Sequence, residues 1–373
     1  MAAASLPTDA DARAAEAERS VGVLFGTRLL GMPFTHLAHV AHPAPRFVGG
    51  SWNYWWQAHY LDAIVDAGRR LLRTGDRQGA FEHVRLGNRL VATIRVRNVG
   101  MFTNRYYDDM AWLALAVDRL RVLTGLAGDH RPPRRLRAAD LALTARLRSA
   151  ITDDLGGGLF WNTTRDFKNV PATGPAALHL ARGGDLETAR LLVDWVYARL
   201  LAPDTGLFLD GIRVTAEGEH VVTDVYTYNQ GTMLGALLAL GDDTSLKRAD
   251  RLVNAIATHL TTPNGHRRPL ITHGGGDGGL FTGILVRYLA LAAGETSLDA
   301  ESRSTARRLV LDTADCFWVG RDERTLVGGQ WASVFAPDPI RAAVEAGPGG
   351  QVIELSTQVQ AWMTLEAAGT LLA

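Results

Sequence analysis

The feature that most limits how this chain can fold is a helical hydrophobic repeat running almost from end to end. Leu61, Ile64, Val65, Gly68, Leu71 and Leu72 recur at three- and four-residue steps, which places them on one face of a helix. Trp112, Leu113, Ala116, Leu120 and Leu123 repeat the pattern between Met110 and Leu123, and residues 186–201 and 359–372 do the same. Strand-type alternation is rare. Its best case, Gly211-Ile212-Arg213-Val214 with Val221-Val222, predicts one small hairpin. The helical runs also end in a recurring way. Gly75-Asp76, Gly128-Asp129, Gly184-Asp185 and Gly241-Asp242 each follow an apolar run. Glycine suits the left-handed position that closes one helix and aspartate suits the cap of the next, so each pair reads as a tight joint.

Between the joints lie longer segments rich in glycine and aromatic residues, at 39–54, 99–107, 153–175, 202–226 and 261–280. Two architectures fit this alternation: a helical array or bundle, and a closed (α/α)6 toroid of six helix pairs. A count of about twelve helices of ordinary length favours the toroid. The expected fold is therefore all-α, with tight turns at one end and long loops at the other. The joints keep no fixed period, which argues against a regular solenoid. No low-complexity linker divides the chain, so a single domain over residues 1–373 is expected. Loops gathered at one end of a scaffold are where function is expected.

Charge narrows the function. Lys+Arg and Asp+Glu number 39 each, without the basic excess that nucleic-acid and anionic-membrane binders usually show, so neither partner is expected. One cysteine, Cys316, excludes an intramolecular disulfide framework and any multi-cysteine zinc site, and reads as inert core. The loop from His273 to Gly279 offers too few ligands for a metal site. No metal or cofactor is expected. The apolar stretches are broken well before about 18 residues. The first residues lack the basic-then-apolar order of a secretory signal. The expectation is a cytoplasmic protein, a trimmed exported chain being the competing explanation; the oligomeric state is left open.

The strongest chemical feature is Asn104-Arg105-Tyr106-Tyr107-Asp108-Asp109-Met110-Ala111-Trp112, where a long loop enters a helix. A plain reading makes Asp108 a helix cap and Asp109 a partner for the positive helix end. Asp153-Asp154 and Asp242-Asp243 show that the dipeptide alone says little. The crowd of aromatic residues and the position at the end of a long loop point instead to chemistry. Paired carboxylates suit glycosidic bond cleavage: one protonates the leaving oxygen, the other attacks the anomeric carbon or activates water. Carboxyl groups about 5–5.5 Å apart imply retention and about 6.5–9.5 Å inversion, and neighbouring residues favour the shorter gap. Mutual repulsion would keep one of the two protonated.

Three further segments suit a sugar. Tyr226-Thr227-Tyr228-Asn229-Gln230-Gly231 combines amides for vicinal hydroxyls with rings for C–H faces, although a capped helix with core tyrosines is the plainer reading. Gly156-Gly157-Gly158-Leu159-Phe160-Trp161-Asn162 lacks the Gly-Lys-Ser/Thr of a phosphate loop and reads as a flexible turn presenting Trp161. In Trp52-Asn53-Tyr54-Trp55-Trp56-Gln57-Ala58-His59 some rings must be core, while Trp52 or Trp56 could line a subsite. Lys168 is expected to be solvated or hydrogen-bonding, and His59 to be structural.

Taken together, these segments resemble glycoside hydrolase family 76, the endo-α-1,6-mannanases and their fungal cell-wall relatives. Tyr106-Tyr107-Asp108-Asp109-Met110-Ala111-Trp112 looks like the family's catalytic segment. Gly157-Gly158-Leu159-Phe160-Trp161-Asn162 with Lys168-Asn169 looks like its glycine-aromatic loop. Thr227-Tyr228-Asn229-Gln230-Gly231 and Phe281-Thr282-Gly283-Ile284 look like two later motifs. Thr282 stands where the family commonly has Lys, and Thr173 where it often has Asn. The resemblance implies a toroid and retaining cleavage of α-1,6-linked mannosides. It makes Asp108 the nucleophile and Asp109 the general acid/base. The expected sugar contacts are Trp56, Asn104, Tyr107, Trp161, Asn169, Tyr228, Asn229 and Gln230, and the expected partner is an oligosaccharide or glycan. The rivals are a transglycosylase on mannose-containing glycans and a non-catalytic glycan-binding toroid.

Overall fold

The computed structural model describes residues 9–44, 52–128, 133–326, 329–346 and 352–373. In chain order its helices are α1 (Asp9–Phe25), α2 (Tyr54–Arg73), α3 (Arg77–Arg97), α4 (Tyr107–Ala127), α5 (Arg134–Arg148), α6 (Val170–Arg182), α7 (Leu186–Leu200), α8 (Thr227–Leu240), α9 (Asp243–His259), α10 (Gly278–Gly294), α11 (Ala300–Val319), the single turn α12 (Ala343–Ala346) and α13 (Leu355–Leu371). The packing closes into a ring: α2 lies against α4, α4 against α6, α6 against α8, α8 against α10, α10 against α13, and α13 against α2. Around it stand α3, α5, α7, α9, α11 and α1, each packed on an inner helix. This is the (α/α)6 toroid.

Sequence sorts the helices between the two layers. In α10, buried residues run without a break from Gly279 to Leu289, because an inner helix is covered on every side. In α9 only Ser245, Ala249, Leu252, Val253 and Ile256 are buried, the three- and four-residue spacing of a one-sided helix. The inner helices approach closely at glycines. A Cβ on Gly231 of α8 would lie 2.8 Å from Leu285 Cα, and one on Gly283 of α10 would lie 2.9 Å from Gln360 Cα. Both neighbours are helix backbone, which cannot swing aside. Gly283→Ala should therefore cost about 1–3 kcal/mol of stability, read as a lower urea midpoint; an unchanged midpoint would mean that α10 and α13 pack more loosely than described.

The joints form as the sequence implies. Gly75, Gly184 and Gly241 have φ of +90°, +89° and +66°. Asp76, Asp185 and Asp242 then accept from Gly79 N, Thr188 N and Ser245 N at 2.8, 3.2 and 3.2 Å. Gly128 is also left-handed, while its partner Asp129 falls outside the described residues. All these joints connect an inner helix to the next outer one. The long segments connect outer to inner, so they gather at the N-terminal ends of the inner helices. The expected hairpin is present, Gly211–Thr215 pairing with Gly218–Val222, and Phe167–Asn169 adds a third strand beside it.

A glutamine at the fourth residue of three inner helices fastens a long segment to the ring. Gln57 exchanges two hydrogen bonds with the backbone of Ala38, Gln230 with that of Phe208 and Gln358 with that of Phe335, at distances of 2.8–3.0 Å. Thr173 of α6 does a related job through Leu159 N at 3.0 Å. At the opposite end of the ring, Arg119 and Arg287 bridge Asp62 and Asp66, with Asp62 at 2.6 and 3.1 Å from the two guanidinium groups. Asp62 and Arg287 are buried and Asp66 and Arg119 half-buried, and the opposite charges facing one another keep the cluster tolerable there, although Arg287 Nε has no hydrogen-bond partner among the described residues.

Candidate active site

A cleft of about 550 Å³ opens at the loop end of the ring. Its walls come from the first turns of α2, α4, α8 and α10, from Asn169 at the head of α6, and from Asp210 and Arg213 on the segment leading to α8. Helix N-termini point at it from several sides, and their partial positive charge favours anionic groups there. Asp108 and Asp109 occupy the first turn of α4, and both line the cleft.

The two carboxyl groups have different surroundings. Asp108 Oδ2 accepts from the indole Nε1 of Trp161 at 2.9 Å, while its Oδ1 is buried and makes no hydrogen bond within the protein. Asp109 Oδ2 accepts from Asn104 Nδ2 at 2.6 Å. Burial raises both pKa values and is the largest cause for each. For Asp108 this is opposed by the backbone amide of Asp109 and the Trp161 indole, which favour the anion. For Asp109 the next cause is the negative charge of Asp108, which pushes in the same direction as burial. The pair thus holds its proton on Asp109 more firmly than on Asp108. Repulsion alone was the expected cause; desolvation outweighs it, because the first turn of α4 lies in an aromatic surround.

Two further carboxylates face the same space. Asp277, immediately before α10, accepts from the indoles of Trp55 and Trp56 through Oδ1 at 3.2 and 2.9 Å. Asp210 is held by Asn229 Nδ2 at 3.1 Å, and burial raises its pKa to about 6. One wall is aromatic: Tyr228 stacks on Phe281 with centroids 3.8 Å apart and planes 6° from parallel, and Trp112 lies 6.1 Å beyond Tyr228. Such faces suit the C–H side of a sugar ring, and the carboxylates and amide suit its hydroxyls. His59 sits behind this wall between Trp55 and Trp112; burial pushes its pKa down to about 3, which keeps it neutral and unsuited to donate a proton.

Of the expected residues, Asp108, Asp109, Trp161, Asn169 and Tyr228 meet at the cleft. Asn104 acts one step away, on Asp109. The others stand elsewhere. Trp56 is buried and reaches the site only through Asp277, because one residue along a helix turns the side chain by about 100°; Trp55 lines the cleft instead. Tyr107 is buried core, with Arg146 over its ring. Asn229 is fully buried beneath Asp210, and Gln230 is one of the three loop-fastening glutamines. Asp210, Asp277, Trp55 and Phe281 were not among the expected sugar contacts. Asp277 and Phe281 are visible in the sequence only within a glycine-rich loop and a motif, and Asp210 carries no local signal.

The glycine-aromatic loop is clamped, not flexible. Lys168 is fully buried, and its Nζ donates to Thr152 Oγ1 at 3.0 Å and to the carbonyls of Asp154 and Gly157 at 2.5 and 2.6 Å. Gly158, at φ +72°, lies against Trp195, whose ring leaves 2.6 Å for a Cβ. Of the two readings expected for Lys168, solvated or hydrogen-bonding, the second is the one found. Its neighbour Asn169 caps α6 by accepting from Ala172 N at 3.2 Å. Between them these contacts fix the backbone that carries Trp161 to Asp108.

Known proteins share this fold. The model of the family described as glycosyl hydrolase family 76 matches residues 38–368. No curated protein matches the chain. Among solved structures, the α-1,6-mannanase GH76A from Salegentibacter sp. HEL1_6 is 27% identical, with 96% of this chain and 99% of that one covered and a TM-score of 0.78. An inactive variant of that mannanase, with two consecutive aspartates changed to alanine and α-1,6-mannotetraose bound, is 25% identical over 97% of this chain and 99% of that one, with a TM-score of 0.79. A protein from Listeria innocua, 23% identical over 98% of each chain with a TM-score of 0.76, shares the fold.

Proposed function

Since the chain belongs to glycosyl hydrolase family 76 and is a glycoside hydrolase, we propose that it cleaves α-1,6-linked mannosides with retention of configuration, through a glycosyl-enzyme on Asp108. The observation that carries this reading is the acid pair itself: two adjacent carboxyl groups open into one cleft, with surroundings that separate their proton affinities. The Salegentibacter mannanase supports it, because exchange of two consecutive aspartates gives an inactive variant with its α-1,6-mannotetraose in place.

In the first step Asp108 attacks the anomeric carbon and Asp109 delivers its proton to the departing glycosidic oxygen. In the second, Asp109, now ionised, takes a proton from water, and that water displaces the sugar from Asp108. The environments suit these roles. Asp108 has donors that stabilise its anion, and Asp109 is kept neutral by burial and by its neighbour's charge. Asp277, Asp210 and Asn169 are placed to receive or offer hydrogen bonds to hydroxyls, and the Tyr228–Phe281 stack to cover a sugar face.

Trp161→Phe tests the electrostatics. Losing the indole donor raises the Asp108 pKa, so the acidic limb of the kcat/KM profile should move to higher pH, with about a tenfold loss at neutral pH. A profile that keeps its acidic limb would show that this hydrogen bond does not tune the nucleophile. The substrate assignment is tested by incubating the enzyme with manno-oligosaccharides of α-1,2, α-1,3 and α-1,6 linkage. Hydrolysis confined to the α-1,6 series is expected. Elongated products without net hydrolysis would make the protein a transglycosylase, and binding without turnover a glycan-binding toroid.

A further inference from the structure

The even overall charge conceals a strongly one-sided surface. Residues 26–44 and 85–106 contain six arginines, Arg28, Arg85, Arg89, Arg95, Arg97 and Arg105, and no Asp or Glu. The two segments lie side by side. His36 N donates to Thr93 Oγ1 at 2.9 Å, and Arg89 of α3 shares a groove with Arg28 and Gly31. None of the six arginines forms an ion pair among the described residues. Arg97 lies over the ring of Trp52, next in sequence to Asn53 and Tyr54 of the cleft wall, so this surface borders the mouth of the active site.

The same two segments hold large apolar side chains out in solvent. Leu30 is 71%, Phe34 79% and Val99 87% exposed, and Val96 and Met101 stand near Val99, also exposed. Leu30, Phe34 and Val99 have φ of +49°, +63° and +55°. A left-handed backbone is unfavourable for such residues, most of all for β-branched valine. Three unfavourable conformations at three of the most exposed apolar side chains are not needed by the core, to which they contribute nothing. They make sense where the side chains serve something outside the molecule.

We propose that this face docks on an anionic lipid surface, with Leu30, Phe34 and Val99 entering the headgroup region and the arginines resting on the lipid charges. The surface carries both requirements of reversible interfacial binding, apolar tips and uncompensated positive charge. A second copy of the chain is a poorer occupant, since a symmetric contact would set the same arginines against each other. No helix among the described residues is long and apolar enough to cross a membrane; the contact proposed for this face is a peripheral one. It would hold the cleft beside the lipid layer, within reach of glycans anchored there.

The test is co-sedimentation of the full chain with vesicles of phosphatidylcholine alone and of equimolar phosphatidylcholine and phosphatidylglycerol. It is repeated with the Leu30→Asn/Phe34→Asn/Val99→Asn variant. Asparagine tolerates the left-handed backbone, so the variant should fold and hydrolyse soluble oligosaccharides as before. The expected result is binding to the anionic vesicles alone, weakened by salt, and at least about tenfold weaker in the variant. Equal binding to both vesicle types, no binding, or an unaltered variant overturns the proposal. So does a parent that self-associates without binding vesicles and a variant that is monomeric. Catalytic failure would leave this readout untouched, so the two proposals stand or fall separately.

Discussion

Asp108→Asn is expected to leave α-1,6-mannotetraose binding nearly intact and to lower turnover by about 10⁴-fold or more, the scale seen when a covalent nucleophile is removed. Asp109→Asn should lose about 10²–10⁴-fold, the usual worth of a positioned general acid. The double variant should be little worse than Asp108→Asn, because the two groups act as a unit. Kinetics on soluble oligosaccharide and calorimetric binding separate the two effects. An Asp108→Asn protein with full activity would remove the nucleophile from the account.

The exchange at Asp109 carries a stability consequence of opposite sign. Asp109 has a folded pKa well above the ordinary 3.8. Between those two values the unfolded chain releases a proton that the folded chain keeps. Wild-type stability therefore falls as pH rises through that window, by up to about 1.4 kcal/mol per pH unit. The amide of the Asp109→Asn variant has no proton to release. That variant should match the parent near about pH 3.5, below the unfolded pKa, and grow more stable than it toward neutrality. A stability difference that does not change with pH would contradict the description of Asp109 as a half-buried acid that keeps its proton.

The second large effect concerns a residue that touches no substrate. Lys168→Met should destabilise the fold by about 3–5 kcal/mol, since hydrogen bonds to a charged group contribute about 1.5–3 kcal/mol each and several are lost together. The total stability of such a protein is only about 5–15 kcal/mol. The carbonyls of Asp154 and Gly157 would lose their donor, and the loop carrying Trp161 would lose its anchor. Denaturant unfolding measures the loss, and activity at low temperature should fall with it. A change under about 1 kcal/mol would show that the glycine loop is held by Trp195 alone.

The ring of helices was legible in the chain because helical periodicity and Gly-Asp joints are local signals. The position of Asp108 and Asp109 at the cleft was legible too, from their aromatic company and their place at the end of a long loop. What escaped was the direction in which neighbouring side chains point. Trp55 and Trp56 differ by one residue, and only the start of α2 decides which faces the cleft. Asn229 and Gln230 looked like sugar ligands because amides beside tyrosines suit a sugar, yet both hold protein groups. One clue did exist: Gln57, Gln230 and Gln358 each stand four residues into an inner helix, a repeat that marks them as structural. Asp210 had no such clue, since it joins the site only through the chain's return from α7 to α8. The exposed arginine-rich face was hidden by a charge total that averages over the whole surface.

Retention through a glycosyl-enzyme requires Asp108 to form a covalent bond to the sugar. The most direct measurement is the anomeric configuration of the first product released from α-1,6-mannotetraose, followed by proton NMR before mutarotation. A double displacement delivers the α-anomer first, with the β-anomer growing in later. The β-anomer appearing first would mean that water attacks directly, and Asp108 would then be a base and not a nucleophile.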